Sequence, residues 1–179
     1  DAVAISHLDS DHYGGLLGLL EKTKVPKVYV PAIFPARFKQ RITLRGADVR
    51  EIDGPQEVLP QVFSTGQVGG GIKEQSLVLE TSKGAVLIVG CGHPSITKIA
   101  ESALGIVKKP LYMIVGGFHL GGMEGRDLDR VFGHLRELGL KKVAPSHCTT
   151  DTGMAYLRRE FGEGFVESGV GRVIEVEAS

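Results

Sequence analysis

Four side chains that commonly bind metal ions lie close together near the N-terminus. They are His7, Asp9, Asp11 and His12, in the segment Ser-His-Leu-Asp-Ser-Asp-His. In an extended or turning chain His7, Asp9 and Asp11 project to one side, because alternate residues do so, and His12 can turn in as a helix begins. Imidazole and carboxylate ligands together suit zinc, iron or manganese. The alternative is a polar loop whose aspartates cap the helix; the density of ligands favours a metal site.

The remaining candidate histidines follow apolar segments that predict buried strands. Residues 2–5 precede His7, and residues 85–89, 111–115 and 142–144 precede His93, His119 and His147. Loops at strand ends of a layered α/β scaffold are held in place yet accessible, so sites are built there. The pattern predicts His93 and His147 as further ligands, with capping of the following helix as the alternative for His93. His134 lies among charged residues of a predicted helix and is expected at the surface.

The elements that must position these residues follow from apolar runs and turn residues. Helices are predicted over residues 16–21, 35–41, 95–107, 127–138 and from Thr150 or Asp151 to 161, with Ser95 placed as a cap. Further strands are predicted over residues 28–30, 49–52, 75–81, 165–167 and 172–176, with a hairpin turn at 82–84. The glycine-rich segment 64–72 lacks the Lys-Ser ending of a phosphate-binding loop. We expect it to be a mobile loop over the site.

Composition limits the classes of function. The chain has 179 residues, which indicates one domain over 1–179, and equal numbers of basic and acidic residues, 21 each. A net charge of zero argues against binding of nucleic acid through bulk charge. No apolar run is long enough to span a bilayer, so we expect no membrane partner. Ser6 and Ser146 lack the surroundings of a nucleophile elbow, which argues against serine catalysis.

Two cysteines, Cys91 and Cys148, lie near histidines. Two cysteines make no disulfide framework, and free thiols fit a reducing, cytoplasmic location. Thiolates bind zinc well, but free cysteine is commonly a small buried residue, and this second role is the one predicted for both. The chain opens on an apolar run without Met, which predicts that it is the C-terminal portion of a longer protein.

The segment at His7 resembles the His-x-His-x-Asp-His signature of the metallo-beta-lactamase superfamily, with His7, Asp11 and His12 followed by Gly14-Gly15-Leu16. Asp9 stands where that superfamily usually has a second His, as in the His-x-Asp-x-Asp-His version of DNA-uptake competence proteins. Three further segments, Gly-Cys-Gly-His-Pro, Gly-Gly-Phe-His-Leu and Pro-Ser-His-Cys-Thr, resemble the branch of dihydropteroate-synthase-like metallo-hydrolases, which includes the dihydropterin ribofuranosyl-aminobenzene phosphate synthases.

This resemblance implies a four-layer αββα sandwich that lacks the family's N-terminal hairpins in this chain. It implies a dinuclear site, with zinc expected first and iron or manganese as alternatives. One metal would be bound by His7, Asp9 and His93, and the other by Asp11, His12 and His147. Asp11 is also expected to orient a catalytic water. His119 falls at the position of a bridging ligand, and three roles stay open for it: ligand, substrate contact, or hydrogen bonding behind the ligands.

The function expected is that of a metal-dependent hydrolase or related transferase acting on a small phosphorylated or cyclic molecule. One alternative is a nuclease of the same superfamily, which Asp9 favours and the neutral composition opposes. Another is a non-catalytic metal-binding or sensor module, because loss of one imidazole at Asp9 can weaken the first metal.

Overall fold

The computed structural model describes residues 2–177. The first third of the chain forms a three-stranded parallel sheet in the order β1-β2-β3. The strands are β1 (Ala2–Ala4), β2 (Lys27–Pro31) and β3 (Asp48–Ile52). The connections contain α1 (Ser10–Tyr13), α2 (Leu16–Lys22) and α3 (Ala36–Thr43). Val28 and Val30 of the central strand are fully buried, which fits the continuous apolar run expected of a strand in a parallel sheet.

The rest of the chain builds a six-stranded sheet in the order β4-β5-β6-β7-β8-β9. Its strands are β4 (Gln56–Leu59), β5 (Val62–Ser64), β6 (Leu77–Thr81), β7 (Gly84–Val89), β8 (Leu111–Gly117) and β9 (Lys142–Ser146). Pairing is antiparallel from β4 to β7 and parallel from β7 to β9. The parallel strands are joined through α4 (Ile96–Ile106) and α5 (Arg126–Glu137), and α6 (Asp151–Phe161) follows β9.

The main core lies between this sheet and its helices. Ile99 of α4, Leu111 of β8, Phe132 of α5 and Leu157 of α6 belong to one buried apolar cluster. Burial of such side chains contributes about 1.5–3 kcal/mol each. The cluster fixes the parallel strands β7, β8 and β9, whose C-terminal ends meet at one edge of the sheet. A second apolar cluster lies in the first third of the chain, where Ile5, Leu16 and other apolar residues pack against β2.

Gln75 joins the two sheets next to the N-terminal histidine loop. Its backbone N–H donates to Ser6 O at 2.9 Å, and its side-chain amide donates to Ile5 O at 2.8 Å. The buried Ser64 hydroxyl donates to the amide oxygen of Gln75 at 2.7 Å. The loop after β1 is therefore held against the larger sheet, where the other histidines lie.

The structure confirms the predicted α/β class and most predicted elements, with corrections at the C-terminus. The strands predicted over residues 165–167 and 172–176 are wrong: Phe165 forms one isolated bridge with Val143, and no strand follows it within the described chain. Val170 and Val173 are exposed. Val166 and Ile174 nevertheless pack against the larger sheet, so apolar side chains of this segment are partly covered without the regular backbone pairing that makes a strand. The αββα layering and the lack of hairpins stay predictions.

One local prediction about the site loops also needs correction. Ser95 lies at the N-cap position of α4, but its hydroxyl does not cap the helix and instead contacts Thr97 Oγ1 at 2.7 Å. The glycine-rich segment contains an isolated bridge between Val68 and Glu74, and its mobility stays a prediction. Thr150, in contrast, caps α6 as predicted, accepting from Gly153 N. Among the described residues, no helix is long and apolar enough to cross a bilayer.

Candidate metal centre

The loop after β1 directs two carboxylates at histidines rather than at the helix that follows. Asp9 occupies the N-cap position of α1, yet its side chain makes no capping hydrogen bond. Only its backbone carbonyl accepts from His12 N, at 2.9 Å. The interpretation of Asp9 as a capping aspartate is therefore wrong, and its carboxylate is available for other partners.

His7, Asp9 and His93 form a group that we call the first triad. Asp9 Oδ2 lies 3.4 Å from His7 Nε2 and 3.2 Å from His93 Nε2. His7 is fully buried. Both Nε2 atoms are buried and have no hydrogen-bond partner among residues 2–177. Burying a polar atom without a hydrogen-bond partner costs free energy. Two such nitrogens that face the same carboxylate therefore indicate a site where a ligand is expected to bind.

Asp11, His12 and His147 form the second triad. Asp11 Oδ2 lies 3.5 Å from His12 Nε2 and 3.3 Å from His147 Nε2, and the two Nε2 atoms are 3.0 Å apart. His147 begins a short 3-10 turn after β9, with φ +54°. A non-glycine residue in this region is uncommon and is often found at functional sites.

The two triads are neighbours. The His7 and His12 rings have centroids 4.0 Å apart, and the two side chains belong to different triads. Within each triad the candidate ligand atoms all lie within 4.8 Å of one another. The structure thus brings together all six predicted ligands, in the two groups of three predicted from the sequence. Their role as ligands stays a prediction.

Ser6 contacts one histidine of each triad, His7 and His12, and orients both rings. Its hydroxyl lies 3.0 Å from His7 Nδ1 and 3.4 Å from His12 Nδ1. Such a contact at one ring nitrogen leaves the opposite nitrogen, Nε2, to bind a metal. Gly90 makes room for this hydroxyl, because a Cβ at that position would lie 2.3 Å from Ser6 Oγ.

The donor set fits divalent cations. Burial lowers the pKa of His7, with the Glu74 charge opposing this effect, and burial likewise lowers the pKa of His12. Both imidazoles are therefore neutral at pH 7, which is the form that binds metal. Each triad adds one carboxylate, Asp9 or Asp11, to two imidazoles, and this combination suits zinc and iron.

Glu74 is a residue of the site that the sequence analysis missed. Its carboxylate is fully buried and accepts from the backbone N–H groups of Cys91, Gly92 and His93 at 2.9–3.1 Å. The turn that presents His93 is thus built around this carboxylate. The sequence offered no signal for it, because its partners are backbone groups that every residue type possesses.

The two cysteines differ in their surroundings. Cys91 is buried, and its Sγ lies 3.3 Å from His12 Nε2. Burial raises the pKa of the Cys91 thiol, and the neighbouring Cys148 adds to this effect. Cys148 is partly exposed, and its Sγ donates to Cys91 O at 3.1 Å. The predicted burial is therefore correct for Cys91, which also lies among the candidate ligands.

His119 lies at the rim of the first triad. Its ring centroid is 4.5 Å from that of His93, its side chain is exposed, and its φ is +48°. Its ring nitrogen lies within 4.8 Å of the candidate ligand atoms of Cys91 and His93, so the three roles predicted for it stay open. His134 is on the surface as predicted, paired with Glu101 at 2.8 Å.

A cavity of about 230 Å³ reaches the centre from the side of β1 and β7. His12 and Ser6 form part of its lining, together with the apolar side chains of Ile5, Leu77 and Ile88. Drug-sized ligands usually occupy pockets of roughly 300–1,000 Å³. The space beside the second triad is therefore suited to a small molecule.

The two sheets, with candidate metal ligands after several of their strands, agree with the superfamily that the histidine motifs resemble. The sequence signature of the metallo-beta-lactamase superfamily matches residues 1–147, and the chain belongs to this superfamily. A relative from Methanocaldococcus jannaschii, 7,8-dihydropterin-6-methyl-4-(beta-D-ribofuranosyl)-aminobenzene-5'-phosphate synthase, is 25% identical, over 98% of this chain and 75% of the relative. The membership predicted from the histidine motifs is confirmed, and the relative carries the name of the predicted branch.

Solved structures show the same fold. A metal-dependent hydrolase of the beta-lactamase superfamily superimposes with a TM-score of 0.78 at 23% identity, covering 97% of this chain and 78% of that chain. The isothiocyanate hydrolase from Delia radicum gut bacteria superimposes with a TM-score of 0.60 at 16% identity, covering 100% of this chain and 77% of that chain.

Proposed function

We propose that the chain is a metal-dependent hydrolase, or a related transferase, that acts through two divalent cations. The first triad would hold one cation and the second triad the other, with zinc expected first and iron or manganese as alternatives. The observation that carries this proposal is the pair of adjacent three-ligand groups, one of which contains two buried imidazole nitrogens without partners. The superfamily and the name of the structurally similar metal-dependent hydrolase support it.

Individual residues of the site would have different roles in catalysis. Two divalent cations, when bound, supply Lewis acidity and lower the pKa of water in the site towards neutrality. The carboxylate of Asp11 is exposed and borders the open side of the second triad, where it can orient the attacking water and accept its proton. His119 stands at the rim, where its imidazole can contact the substrate or protonate a leaving group.

The substrate class proposed is a small phosphorylated or cyclic molecule. The cavity beside His12 is small, and its lining combines apolar side chains with the hydroxyl of Ser6. The Methanocaldococcus jannaschii relative is named for a pterin-linked ribofuranosyl phosphate, which supports phosphorylated and pterin-like compounds as the first to test. We propose no nucleic-acid substrate, since the net charge of the chain is zero.

A second candidate is a metal-binding module without catalysis. Asp9 favours it, because a carboxylate in place of an imidazole changes the first triad relative to the common motif of the superfamily. Both triads are nevertheless complete in number of ligands. Full metal loading without turnover of any phosphoester or cyclic substrate would decide for this candidate.

Metal content and turnover together test the proposal. The protein is purified without chelator, offered zinc, iron or manganese, and compared with His12→Ala and with the surface control His134→Ala. We expect about two metal ions per chain, fewer in His12→Ala and unchanged in His134→Ala. A panel of phosphomonoesters, phosphodiesters and pterin derivatives is then assayed, and chelation should abolish turnover. A chain that binds none of the three metals contradicts the proposal.

A further inference from the structure

Cys91 and Cys148 lie side by side although they follow different strands. Cys91 comes after β7, Cys148 lies in the short turn after β9, and β8 separates these two strands in the sheet. Neighbouring strands are about 4.7–4.9 Å apart, so the ends of β7 and β9 are roughly 10 Å apart. The two Sγ atoms nevertheless lie within 4.8 Å of each other. Both turns therefore lean over the end of β8 and bring the sulfurs together.

Gly117, the last residue of β8, leaves room for this approach. A Cβ at this position would lie 2.8 Å from Cys148 Sγ and 2.9 Å from Cys91 Cα. The Cys148 thiol occupies that space and donates to Cys91 O at 3.1 Å. The turn after β9 is thus held against the turn after β7, with both cysteines present as free thiols.

The remaining gap between the sulfurs is small enough for a disulfide to close. An S–S bond is about 2.05 Å long, and two cysteines can be bridged only when their side chains already lie close together. Rotation about the Cα–Cβ bond of Cys148 can bring its sulfur from Cys91 O to Cys91 Sγ. The backbone of Cys91 is meanwhile fixed, because Glu74 accepts from Cys91 N at 2.9 Å.

The two thiols differ in their access to solvent. Cys148 is partly exposed, whereas Cys91 is only 4% exposed. Redox-sensitive sites commonly combine an accessible thiol, which meets the oxidant, with a neighbouring thiol that completes the disulfide. This difference gives the first step of an oxidation to Cys148 and the second step to Cys91.

We propose that Cys91 and Cys148 form an oxidative modification site, which hydrogen peroxide converts into a disulfide beside the metal centre. Peroxide first transfers one oxygen to Cys148: its O–O bond breaks, a sulfenic acid forms and water leaves. Cys91 Sγ then attacks Cys148 Sγ, the S–O bond breaks and a second water leaves. The two thiols together lose two electrons and two protons, and one molecule of peroxide accepts them.

The disulfide would alter the second triad, because Cys148 directly follows His147. The Nε2 atom of His147 lies 3.0 Å from His12 Nε2, and its backbone already has φ +54°. A covalent bond that draws Cys148 towards β7 shifts this turn, and His147 shifts with it. Oxidation would thereby weaken binding of the second cation. This effect on the metal rests on the proposed function, whereas formation of the disulfide does not.

Thiol counting and peptide mapping of wild type test the disulfide. Reduced protein, with and without zinc, is treated with a limiting amount of peroxide and then denatured for counting. We expect two free thiols per chain before treatment and none afterwards, with a proteolytic fragment that joins Cys91 to Cys148. Dithiothreitol should restore both thiols, because a disulfide is reversible and more highly oxidised sulfur is not. Thiols that persist, or oxidation without the internal link, would overturn the proposal.

Cys148→Ser is the matched control for the effect on the metal. It retains Cys91 and cannot form the link. We expect peroxide to decrease the zinc affinity of wild type by roughly 10–100-fold at one of its two sites, dithiothreitol to reverse this change, and Cys148→Ser to be unaffected. Competition with a chromogenic chelator measures the affinity.

The outcomes separate this inference from the proposed function. Equal zinc affinity of reduced and oxidised wild type, or an equal decrease in Cys148→Ser, would overturn the effect of the disulfide on the second triad. Failure of reduced wild type to bind zinc, iron or manganese would instead contradict the proposed function. Thiol counting would still decide in that case whether Cys91 and Cys148 form the disulfide.

Discussion

The fully buried carboxylate of Glu74 accepts a hydrogen bond from the backbone N–H of His93 at 3.1 Å. The same carboxylate binds the two preceding N–H groups of the turn. Three backbone donors around one anionic acceptor fix the direction in which the His93 ring leaves the chain. The position of a candidate ligand is therefore set by a residue that would touch no metal.

Glu74→Gln should weaken both the turn and the metal centre. The amide retains one oxygen but turns an NH₂ group towards backbone donors, leaving some of them unpaired. We expect a loss of about 1–3 kcal/mol in the free energy of unfolding and a decrease of roughly 10–100-fold in zinc affinity. Urea denaturation and zinc competition titration measure the two effects. The exposed Glu124→Gln is the control, and equal behaviour of the two variants would contradict the role given to Glu74.

Asp9→His should strengthen the first triad. Histidine at this position restores the common motif of the superfamily and offers zinc an additional imidazole beside His7 and His93. We expect an increase on the order of tenfold in zinc affinity at one of the two sites. Zinc content after dialysis against a weak chelator measures it, with occupancy of the second triad as the internal control. Unchanged occupancy would show that Asp9 does not limit the first metal.

His119→Ala should separate catalysis from metal binding. His119 contacts the ring of His93 from the rim of the first triad. If it serves the substrate, kcat should fall by about 10²-fold while metal content stays at the wild-type value. The assay uses whichever phosphoester or pterin compound the substrate panel identifies. Loss of metal in parallel with kcat would assign His119 to the ligands instead.

Gly116→Ala should destabilise the fold at the strand that leads to His119. Gly116 has φ +119°, and an added Cβ would lie 2.0 Å from Val89 O on the neighbouring strand. We expect a decrease of about 3 kcal/mol in the free energy of unfolding. Gly105→Ala in α4 is the control: a Cβ there meets nothing within 4 Å, so the same change should increase stability by about 0.5–1 kcal/mol. Similar effects of both changes on the urea midpoint would contradict the steric explanation.

The candidate ligands could be recognised in the sequence because they cluster in one segment or follow predicted strands, and the resemblance to the superfamily then assigned them to two groups of three. Four of the candidate ligands could be recognised within one short segment: His7, Asp9, Asp11 and His12. His147 could be recognised from the predicted strand that precedes it. Glu74 and Gln75 could not be found in this way, since they act on backbone groups and their positions depend on how the two sheets meet.

Short-range patterns failed where tertiary contacts decide the outcome. Val173 carries the signal of a strand, but no neighbouring strand or helix covers it. Ser95 stands at the right place for a cap, but its φ of +95° turns the hydroxyl towards Thr97. β4 and β5 were not predicted, because both are short and mix apolar with polar residues, and they join the sheet only through the pairing of β5 with β6.

Each triad takes two candidate ligands from the segment that follows β1 of the small sheet, and its third from a turn that follows a strand of the large sheet. His12 and His147, whose Nε2 atoms are 3.0 Å apart, are separated by 135 residues of chain. A cation bound by both side chains would close a long loop reversibly, much as a disulfide does. Depletion of metal would then stop catalysis and also remove a link between the two sheets. The protein would become easier to unfold and to degrade.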